Sequence, residues 1–230
     1  MAKIILIETS TTLCSVALAV DGKAVCSRES GTPKAHASLT AVFVREVLGE
    51  AGLAAGGCDA VCVSAGPGSY TGLRVGVSTA KGICFAAGLP LLSICTLDIL
   101  AAQAVRDGHV SGECRHIVPM IDARRMEVYT ATYDAAGHRQ TDVAPLVVEA
   151  GSFGRELSEG ETVFIGDAAD KCREVVASPA ARFVQTYPHA SAMAPQAERL
   201  FSEGRFEDCA YFEPFYLKQF MATTSKKKLF

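Results

Sequence analysis

The chain has 230 residues, of which 49% are hydrophobic and 20% are charged, and its formal net charge is −3. This length suffices for one large domain or two small ones with a sizeable core. The slightly acidic balance argues against a dedicated nucleic-acid-binding domain, and no apolar run approaches the roughly 20 residues of a membrane span. The nine cysteines are scattered without a Cys-x-x-Cys pair, which indicates reduced thiols that act as small core residues. The opening Met-Ala-Lys-Ile-Ile-Leu-Ile-Glu is too short and too quickly polar for a signal peptide, so we expect a soluble, cytoplasmic protein.

The first half of the chain alternates strand and helix signals. Apolar runs, and an Asp-Gly turn between the second and third of them, predict three strands followed by a helix, a strand, a helix and a short strand. The predicted strands cover residues 3–8, 15–20, 23–29, 59–66 and 91–94. The predicted helices cover residues 36–52 and 70–88, the second ending at Gly88.

The second half repeats this pattern in a weaker form. Its predicted strands cover residues 116–122, 126–134, about 142–148 and 162–167, and its predicted helices cover residues 96–108, 152–157, 168–176 and 194–204. A βββαβα unit used twice is the layout of ribonuclease-H-like and actin-like ATPase folds, so we predict an α/β protein with two such lobes. The expected divisions are an N-terminal lobe carrying partner-binding helices (1–108), a smaller degenerate lobe (109–212) and a C-terminal segment with a basic tail (213–230).

In actin-like ATPases, the turn after the first strand of each lobe holds phosphate through closely approaching main-chain N–H groups, which favours glycine there. The first turn here carries hydroxyls at Thr9, Ser10 and Thr11 behind the acid Glu8, and it has no glycine. The matching turn of the second half contains Arg124 and Arg125, again without glycine. We interpret Thr9, Ser10, Thr11 and Arg124 as candidate degenerate phosphate turns, with ordinary polar turns as the alternative. A closed ATP site within this chain is not expected.

Signals for other catalytic chemistry are absent from the sequence. None of the five histidines forms His-x-x-x-His, the spacing that places two imidazoles on one helix face. No Gly-x-Ser-x-Gly elbow is present, and Cys62 lies in an apolar strand pattern that predicts a core residue. We therefore predict neither a metal nor a cofactor nor a catalytic residue.

The stretch SAGPGSYTGLRVG (residues 64–76) is rich in glycine, yet it does not match the phosphate-binding pattern G-x-x-x-x-G-K-[ST]. Ser69 or Thr71 is placed to cap the helix that follows. In that helix Gly72, Gly76 and Ala80 recur every four residues and share one face. Each interior glycine costs roughly 0.5–1 kcal/mol relative to alanine, and close approach by another element would offset that cost.

The preceding helix has two apolar faces. One face contains Leu39, Val42, Phe43 and Val47; the other contains Ala37, Ala41, Val44 and Leu48. Such a helix packs on its own sheet and still offers a stripe to a partner, although a helix buried within its own fold remains the alternative. The predicted partner-binding residues are Leu39, Ala41, Val44, Leu48, Gly72, Arg74, Gly76 and Ala80.

Several motifs carry a resemblance to a known family. The stretches IETSTTLCSVAL, SAGPGSYTGLRVGVSTAKGI, PLLSICTLDILA and IDARRMEVY, with weaker support from FIGDAADKC and FYLK, resemble the TsaB family. This family is the non-catalytic subunit of the bacterial machinery that makes threonylcarbamoyladenosine in tRNA, within the glycoprotease-like superfamily. The likeness spans nearly the whole chain. It implies two actin-like lobes and descent shared with the catalytic transferase subunit.

The resemblance also carries expectations about sites and partners. The transferase subunit has an Asn-His-x-x-x-His metal motif after its Pro-Leu strand, whereas Thr96 and Leu100 stand at the matching positions here. The family pairs with that TsaD-family subunit through its first two helices and forms a homodimer through the same surface. A TsaE-family ATPase belongs to the same complex, and tRNA is reached indirectly. Lys218 stands where the family often has arginine, which alters one contact without threatening the assignment.

The leading hypothesis is therefore a scaffold or activator subunit of tRNA threonylcarbamoyladenosine modification, without catalytic residues of its own. An actin-like small-molecule kinase or ATPase is the alternative, resting on analogy of fold. A peptidase is a third hypothesis, which the lack of paired metal ligands and of a nucleophile–base spacing disfavours. The tail at residues 225–230 contains three consecutive lysines. Two hypotheses apply to it: a contact with tRNA phosphates, or a solvated chain end without a partner.

Overall fold

Two β-sheets with the same strand order form the framework of the protein. The structure is a computed structural model and describes residues 2–217. The first sheet has the order β3-β2-β1-β4-β5 and consists of β1 (Lys3–Glu8), β2 (Cys14–Val20), β3 (Lys23–Ser30), β4 (Ala60–Gly66) and β5 (Leu91–Cys95). The second has the order β9-β7-β6-β10-β11 and consists of β6 (Cys114–Asp122), β7 (Glu127–Thr130), β9 (Ala144–Val147), β10 (Glu161–Gly166) and β11 (Ala181–Gln185), with β8 (Tyr133–Asp134) paired to β6.

The strand pairings show that the second sheet repeats the first. In each, three strands pair antiparallel in succession, and the first of them also pairs parallel with a fourth strand that is followed by a parallel fifth. Parallel neighbours need crossover connections, which here contain helices. The helices are α1 (His36–Glu50), α2 (Tyr70–Ala87), α3 (Thr96–Arg106), α4 (Gly154–Glu159), α5 (Ala169–Arg173) and α6 (Ala194–Ser202). The predicted two-lobed, actin-like α/β fold is confirmed.

The central strand β1 is buried on both faces, which explains its unbroken apolar sequence. Side chains alternate along a strand, so Ile5 and Ile7 pack on one side with α1 and α2, and Ile4 and Leu6 pack on the other. The β1 bounds match the prediction. The α2 prediction also holds, since the helix ends at Ala87 and Gly88 follows in the left-handed conformation with φ 68°.

The second side of the first sheet is covered by residues from late in the chain. The short 3₁₀ turn Ala190–Met193 and α6 contribute Ala190, Met193, Ala197 and Leu200 to the apolar cluster around Ile4 and Leu6. The division at 109–212 placed this segment with the second lobe, but it packs on the first sheet. The reason is that β1 needs an apolar cover on both faces, and α1 and α2 supply only one.

Residues 205–217, here called the C-terminal strap, run along the edge of the first sheet. The main-chain N–H of Glu207 donates to the oxygen of Leu91 in β5 at 2.8 Å, and the N–H of Phe215 donates to the oxygen of Ala65 in β4 at 2.7 Å. The first contact covers part of the edge strand β5, which would otherwise expose unpaired main-chain groups.

The structure corrects two predicted elements. The strand predicted at 126–134 is divided into β7 and β8, because the N–H of Thr132 turns away to the hydroxyl of Thr141 at 2.8 Å. Strand β11 was missed, since its half-exposed sequence ARFVQ shows no clear alternation. The predictions for Lys218 and for the lysine tail lie outside the described residues. Among residues 2–217, no helix has the length and hydropathy to cross a bilayer.

Candidate functional site

The first candidate phosphate turn, between β1 and β2, is closed by its own side chains. Glu8, Thr9 and Ser10 are fully buried or nearly so. One carboxylate oxygen of Glu8 accepts the main-chain N–H of Ser10 at 2.5 Å, whereas the other, Oε2, has no hydrogen-bond partner among residues 2–217. Burial raises the pKa of Glu8 to about 7. A phosphate at this turn would need the Ser10 N–H that Glu8 already holds, and it would meet a buried acid.

The loop that leads into α2 seals this turn from outside. The N–H of Ser69 donates to the main-chain oxygen of Ser10 at 2.6 Å. A Cβ on Gly72 would overlap the main-chain oxygen of Thr9, and a Cβ on Gly76 would overlap the Thr9 hydroxyl. The glycines of the quoted stretch therefore permit close contact between α2 and the β1–β2 turn.

This contact corrects the predicted role of the small-residue face. Gly72, Gly76 and Ala80 are buried within the chain and were expected to face a second protein. The close approach that their spacing predicted is real, but the approaching element is the turn at Thr9. The capping prediction is resolved in favour of Ser69, whose hydroxyl accepts the N–H of Gly72 at 3.3 Å.

The second candidate turn, between β6 and β7, is contacted by the ammonium group of Lys171. The Nζ of Lys171 pairs with the Asp122 carboxylate and donates to the main-chain oxygens of Arg125 and Glu127, at 2.9 and 2.8 Å. Asp167 accepts the N–H of Asp122 at 2.8 Å, and burial raises the pKa of Asp167 to about 6. The polar groups of this turn are thus paired with one another in a partly exposed ion-pair network rather than left open as a cradle.

Arg124 lies at the tip of this second turn. Its side chain is exposed, its φ is 72°, and its N–H donates to Asp122 at 3.0 Å. The neighbouring Arg125 is also exposed, with φ 49°. The two candidate turns therefore differ in access, because Thr9, Ser10 and Thr11 are buried and Arg124 is on the surface.

An apolar groove lies between α1 and α2. It has a volume of about 390 Å³. Its lining comprises Ala41, Val44, Arg45, Leu48, Gly49, Leu53, Ala54, Ala55, Thr79 and Ile83. Ala41 is exposed, while Val44 and Leu48 belong to the core under α1 and form the floor. We name this feature, with its ten lining residues, the α1–α2 groove.

The outward side of α2 carries a second feature, the exposed stripe formed by Arg74, Ser78, Gly82 and Phe85. These residues are spaced by four, four and three positions, so they share one helix face. Phe85 is 92% exposed, and no atom of residues 2–217 lies within 4 Å of a Cβ built on Gly82. The guanidinium of Arg74 lies 5.4 Å from the ring centroid of Tyr70.

Of the predicted partner-binding residues, the structure therefore leaves Ala41 and Arg74 exposed and Leu39 half-buried. Gly82 and Phe85 were missed as interface candidates. The sequence signal was available, since a large apolar residue follows Gly82 by three positions on a face that also carries Arg74. Periodicity alone did not tell which of the helix faces turns outward.

Catalytic groups are sparse in the part of the chain that the structure describes. Residues 2–217 contain no cluster of three or more histidine, cysteine or acidic side chains that could hold a metal. Thr96 and Leu100, which the sequence resemblance matches to the metal-binding histidines of the transferase subunit, are both fully buried. Thr96 and Leu100 therefore lie in the core of the protein.

Comparison with known proteins places this chain in a family. The sequence profile described as TsaD, tRNA N6-adenosine threonylcarbamoyltransferase, matches residues 30–224. The tRNA threonylcarbamoyladenosine biosynthesis protein TsaB of Escherichia coli is 31% identical over 227 residues, which cover 96% of each chain. The chain belongs to the TsaB family. The predicted resemblance is confirmed.

Further relatives agree with this membership. The TsaB protein of Haemophilus influenzae is 37% identical over 123 residues, covering 54% of this chain and 50% of the other. A solved structure from Pseudomonas aeruginosa, described as an uncharacterized protein with similarity to peptidase YeaZ, is 29% identical with a TM-score of 0.83. It covers 95% of this chain and 100% of that one. The TsaB-family fold thus accounts for both lobes.

Proposed function

We propose that this TsaB-family chain is a non-catalytic subunit of tRNA threonylcarbamoyladenosine biosynthesis that binds and activates the catalytic TsaD-family transferase. The binding surface comprises the α1–α2 groove and the exposed stripe of α2. We further propose that the free chain forms a homodimer through the same surface, that a TsaE-family ATPase joins the complex, and that tRNA is bound through the partners.

The observation that carries this proposal is the exposed position of Gly82 in the interior of α2. An interior helix glycine costs roughly 0.5–1 kcal/mol relative to alanine, and such a cost normally has a structural reason. For Gly72 the reason is the main-chain oxygen of Thr9, whereas the part of the chain that the structure describes places no atom within 4 Å of a Cβ on Gly82. A second protein that packs closely on α2 would supply the missing reason.

Phe85 supports the same surface. A phenylalanine that is 92% exposed leaves its whole ring in water, and aromatic side chains are enriched among the residues that dominate protein interfaces. Ile83 lies two positions earlier and lines the α1–α2 groove. The groove and the stripe therefore meet on one helix and provide both an apolar depression and a projecting ring.

The closed turns support the non-catalytic part of the proposal. Phosphoryl chemistry in an actin-like fold requires a phosphate-binding turn open to the nucleotide. Here the Glu8 carboxylate accepts the main-chain N–H of Ser10 in the first turn, and the carboxylates of Asp167 and Asp122 accept the N–H groups of Asp122 and Arg124 in the second. We therefore expect no binding when isothermal titration calorimetry is carried out with Mg-ATP and the isolated chain. Micromolar binding with turnover would favour the kinase or ATPase alternative.

The interaction is tested by titrating the full chain with the TsaD-family transferase of the same organism. We expect Gly82→Leu and Phe85→Ala each to weaken binding by about tenfold or more, because both alter the centre of the surface. The matched control is Tyr211→Ala, since Tyr211 is 84% exposed but lies on the C-terminal strap. Wild-type affinity in both α2 variants would contradict the proposed surface.

The role in modification has a separate test. The chain is mixed with its proposed partners, tRNA, ATP and threonylcarbamoyl adenylate as the donor, and threonylcarbamoyladenosine is measured with and without the chain. We expect the product to be lost when the chain is omitted and when Gly82→Leu replaces it. Undiminished product without the chain would refute an activator role even if the partners bind.

A further inference from the structure

The thiols of two cysteines meet between α2 and the C-terminal strap. Cys84 lies near the end of α2 and is buried, whereas Cys209 lies in the strap and is half-buried. The thiol of Cys209 neighbours that of Cys84 and contributes to raising the Cys84 pKa. Its sulfur also lies 3.9 Å from the main-chain oxygen of Lys81, one turn earlier in α2. The two side chains pack in the same apolar cluster.

Main-chain anchors on both sides of Cys209 hold this contact in place. Before it, the N–H of Glu207 donates to the oxygen of Leu91 at 2.8 Å. After it, the oxygen of Ala210 accepts from the Nζ of Lys81 at 3.0 Å. A side chain anchored this closely has few positions available, so the meeting of the two sulfurs is fixed by the course of the strap.

We propose that Cys84 and Cys209 are a redox site, and that a peroxide converts them into a reversible disulfide that fastens the C-terminal strap to α2. Nine free cysteines occur in the chain. The pair is distinguished from the others by combining one thiol near the surface with a second thiol directly behind it.

The chemistry proceeds in two balanced steps. The Cys209 sulfur attacks one oxygen of hydrogen peroxide, the O–O bond breaks, and the products are a sulfenic acid and water. The Cys84 sulfur then attacks the sulfenic sulfur, the S–S bond forms, the S–O bond breaks, and the oxygen leaves as water with the Cys84 proton. Two thiols lose two electrons in total, and the peroxide gains them. A thiol reductant reverses the change.

The two cysteines have different roles because their surroundings differ. Burial raises the pKa of Cys84 to about 12, which keeps it protonated and slow to react with peroxide directly. Cys209 is half-buried and is therefore the more accessible of the two residues. The structure thus supplies a more accessible cysteine for oxidation and a protected cysteine that resolves it.

The disulfide would stabilise the position of the whole strap. Beyond Cys209 the strap places Phe215 on β4 and brings the ring of Tyr216 to 4.9 Å from that of Tyr70, at the start of α2. These contacts are largely at the surface and open easily by themselves. A covalent link at Cys209 keeps the strap in place when they open.

The test is peptide mapping of the full chain under non-reducing conditions after treatment with hydrogen peroxide. We expect a Cys84–Cys209 peptide that disappears on addition of dithiothreitol, and that is absent from Cys209→Ser. The matched control is Cys26→Ser, since Cys26 is another half-buried cysteine but contacts the oxygen of Val47 at 3.3 Å. This variant should give the same linked peptide as the wild type.

A second measurement does not depend on variants of the buried residue. Oxidation should slow proteolysis within residues 205–217 by about tenfold in the wild type, because the linked strap opens less often. The rate in Cys209→Ser should not change. The proposal is overturned if peroxide leaves Cys84 and Cys209 as free thiols, or if Cys209 links to any other cysteine or to a second molecule.

Discussion

The main-chain oxygen of Thr9 fills the space beside Gly72 that any β-carbon would need. This one contact accounts for much of the glycine-rich stretch. It joins the β1–β2 turn to the first turn of α2 and leaves no room for a phosphate between them. The loop that looks like a nucleotide-binding element in sequence is therefore a packing element.

Alanine substitutions at three glycines of α2 should separate the effect of close packing from the intrinsic cost of glycine in a helix. Gly72→Ala should lower the free energy of unfolding by about 1–3 kcal/mol, because the Thr9 oxygen is main chain and cannot rotate away. Gly76→Ala should cost less, because it meets the Thr9 hydroxyl, which can rotate. Gly82→Ala should raise stability by about 0.5–1 kcal/mol. Urea denaturation measures all three, and an equal loss in Gly72→Ala and Gly82→Ala would contradict the assignment.

Glu8 should make the protein less stable as the pH rises. Its pKa in the folded chain is raised by burial from 4.5 to about 7, so between these values the folded state keeps a proton that the unfolded state releases. The free energy of unfolding therefore falls from pH 4.5 towards neutrality. Glu8→Gln removes the cost of ionising a buried carboxyl. The variant should therefore be more stable than the wild type at pH 8 by up to about 3 kcal/mol, with little difference near pH 4. Denaturation at both pH values tests this. A destabilised Glu8→Gln at pH 8 would show that the carboxylate is needed in its charged form.

Glu29 should show the opposite dependence. Its Oε1 lies 2.7 Å from the His189 ring and accepts the Ser15 hydroxyl at 2.9 Å, and the bond from His189 is the main cause that lowers the pKa of Glu29. The stabilisation is present above the unfolded value of 4.5 and is lost as the pH falls through the lowered one. Glu29→Gln should cost about 1 kcal/mol at pH 7 and less in acid.

The control for Glu29 is Glu46→Gln. Glu46 pairs with Arg28 at 3.3 Å, but both side chains are well exposed, so its loss should change stability by no more than about 0.5 kcal/mol. If Glu46→Gln and Glu29→Gln have equal effects at pH 7, the link between Glu29 and His189 contributes nothing beyond an ordinary surface charge.

The start of α2 should depend on Ser69. Its hydroxyl accepts the N–H of Gly72, so Ser69→Ala leaves that donor without a side-chain partner and should cost about 1 kcal/mol. Ser78→Ala is the matched control, because Ser78 is exposed in the middle of the same helix and should gain slightly from alanine. Thermal unfolding of both variants measures the difference, and equal melting temperatures would exclude the cap.

The sequence predicted the helices and strands better than it predicted which element packs on each helix face. The run Lys3–Glu8 and the left-handed Gly88 follow from short-range rules, and the structure matches them. The spacing of Gly72 and Gly76 correctly predicted a close approach. It did not reveal that Thr9 makes it, because that contact joins two distant parts of the chain. Phe85 was missed for the related reason that exposure depends on the packing of the whole lobe.

The return of α6 to the first sheet has a consequence for how the protein is made. All five strands of that sheet lie in the first half of the chain, yet most of the cover on one side of β1 comes from residues between Ala190 and Leu200, which are synthesised near the end. The lobe that is translated first is therefore completed last. A nascent chain stopped after β5 would present a bare apolar surface to chaperones, and only release of the finished polypeptide removes it.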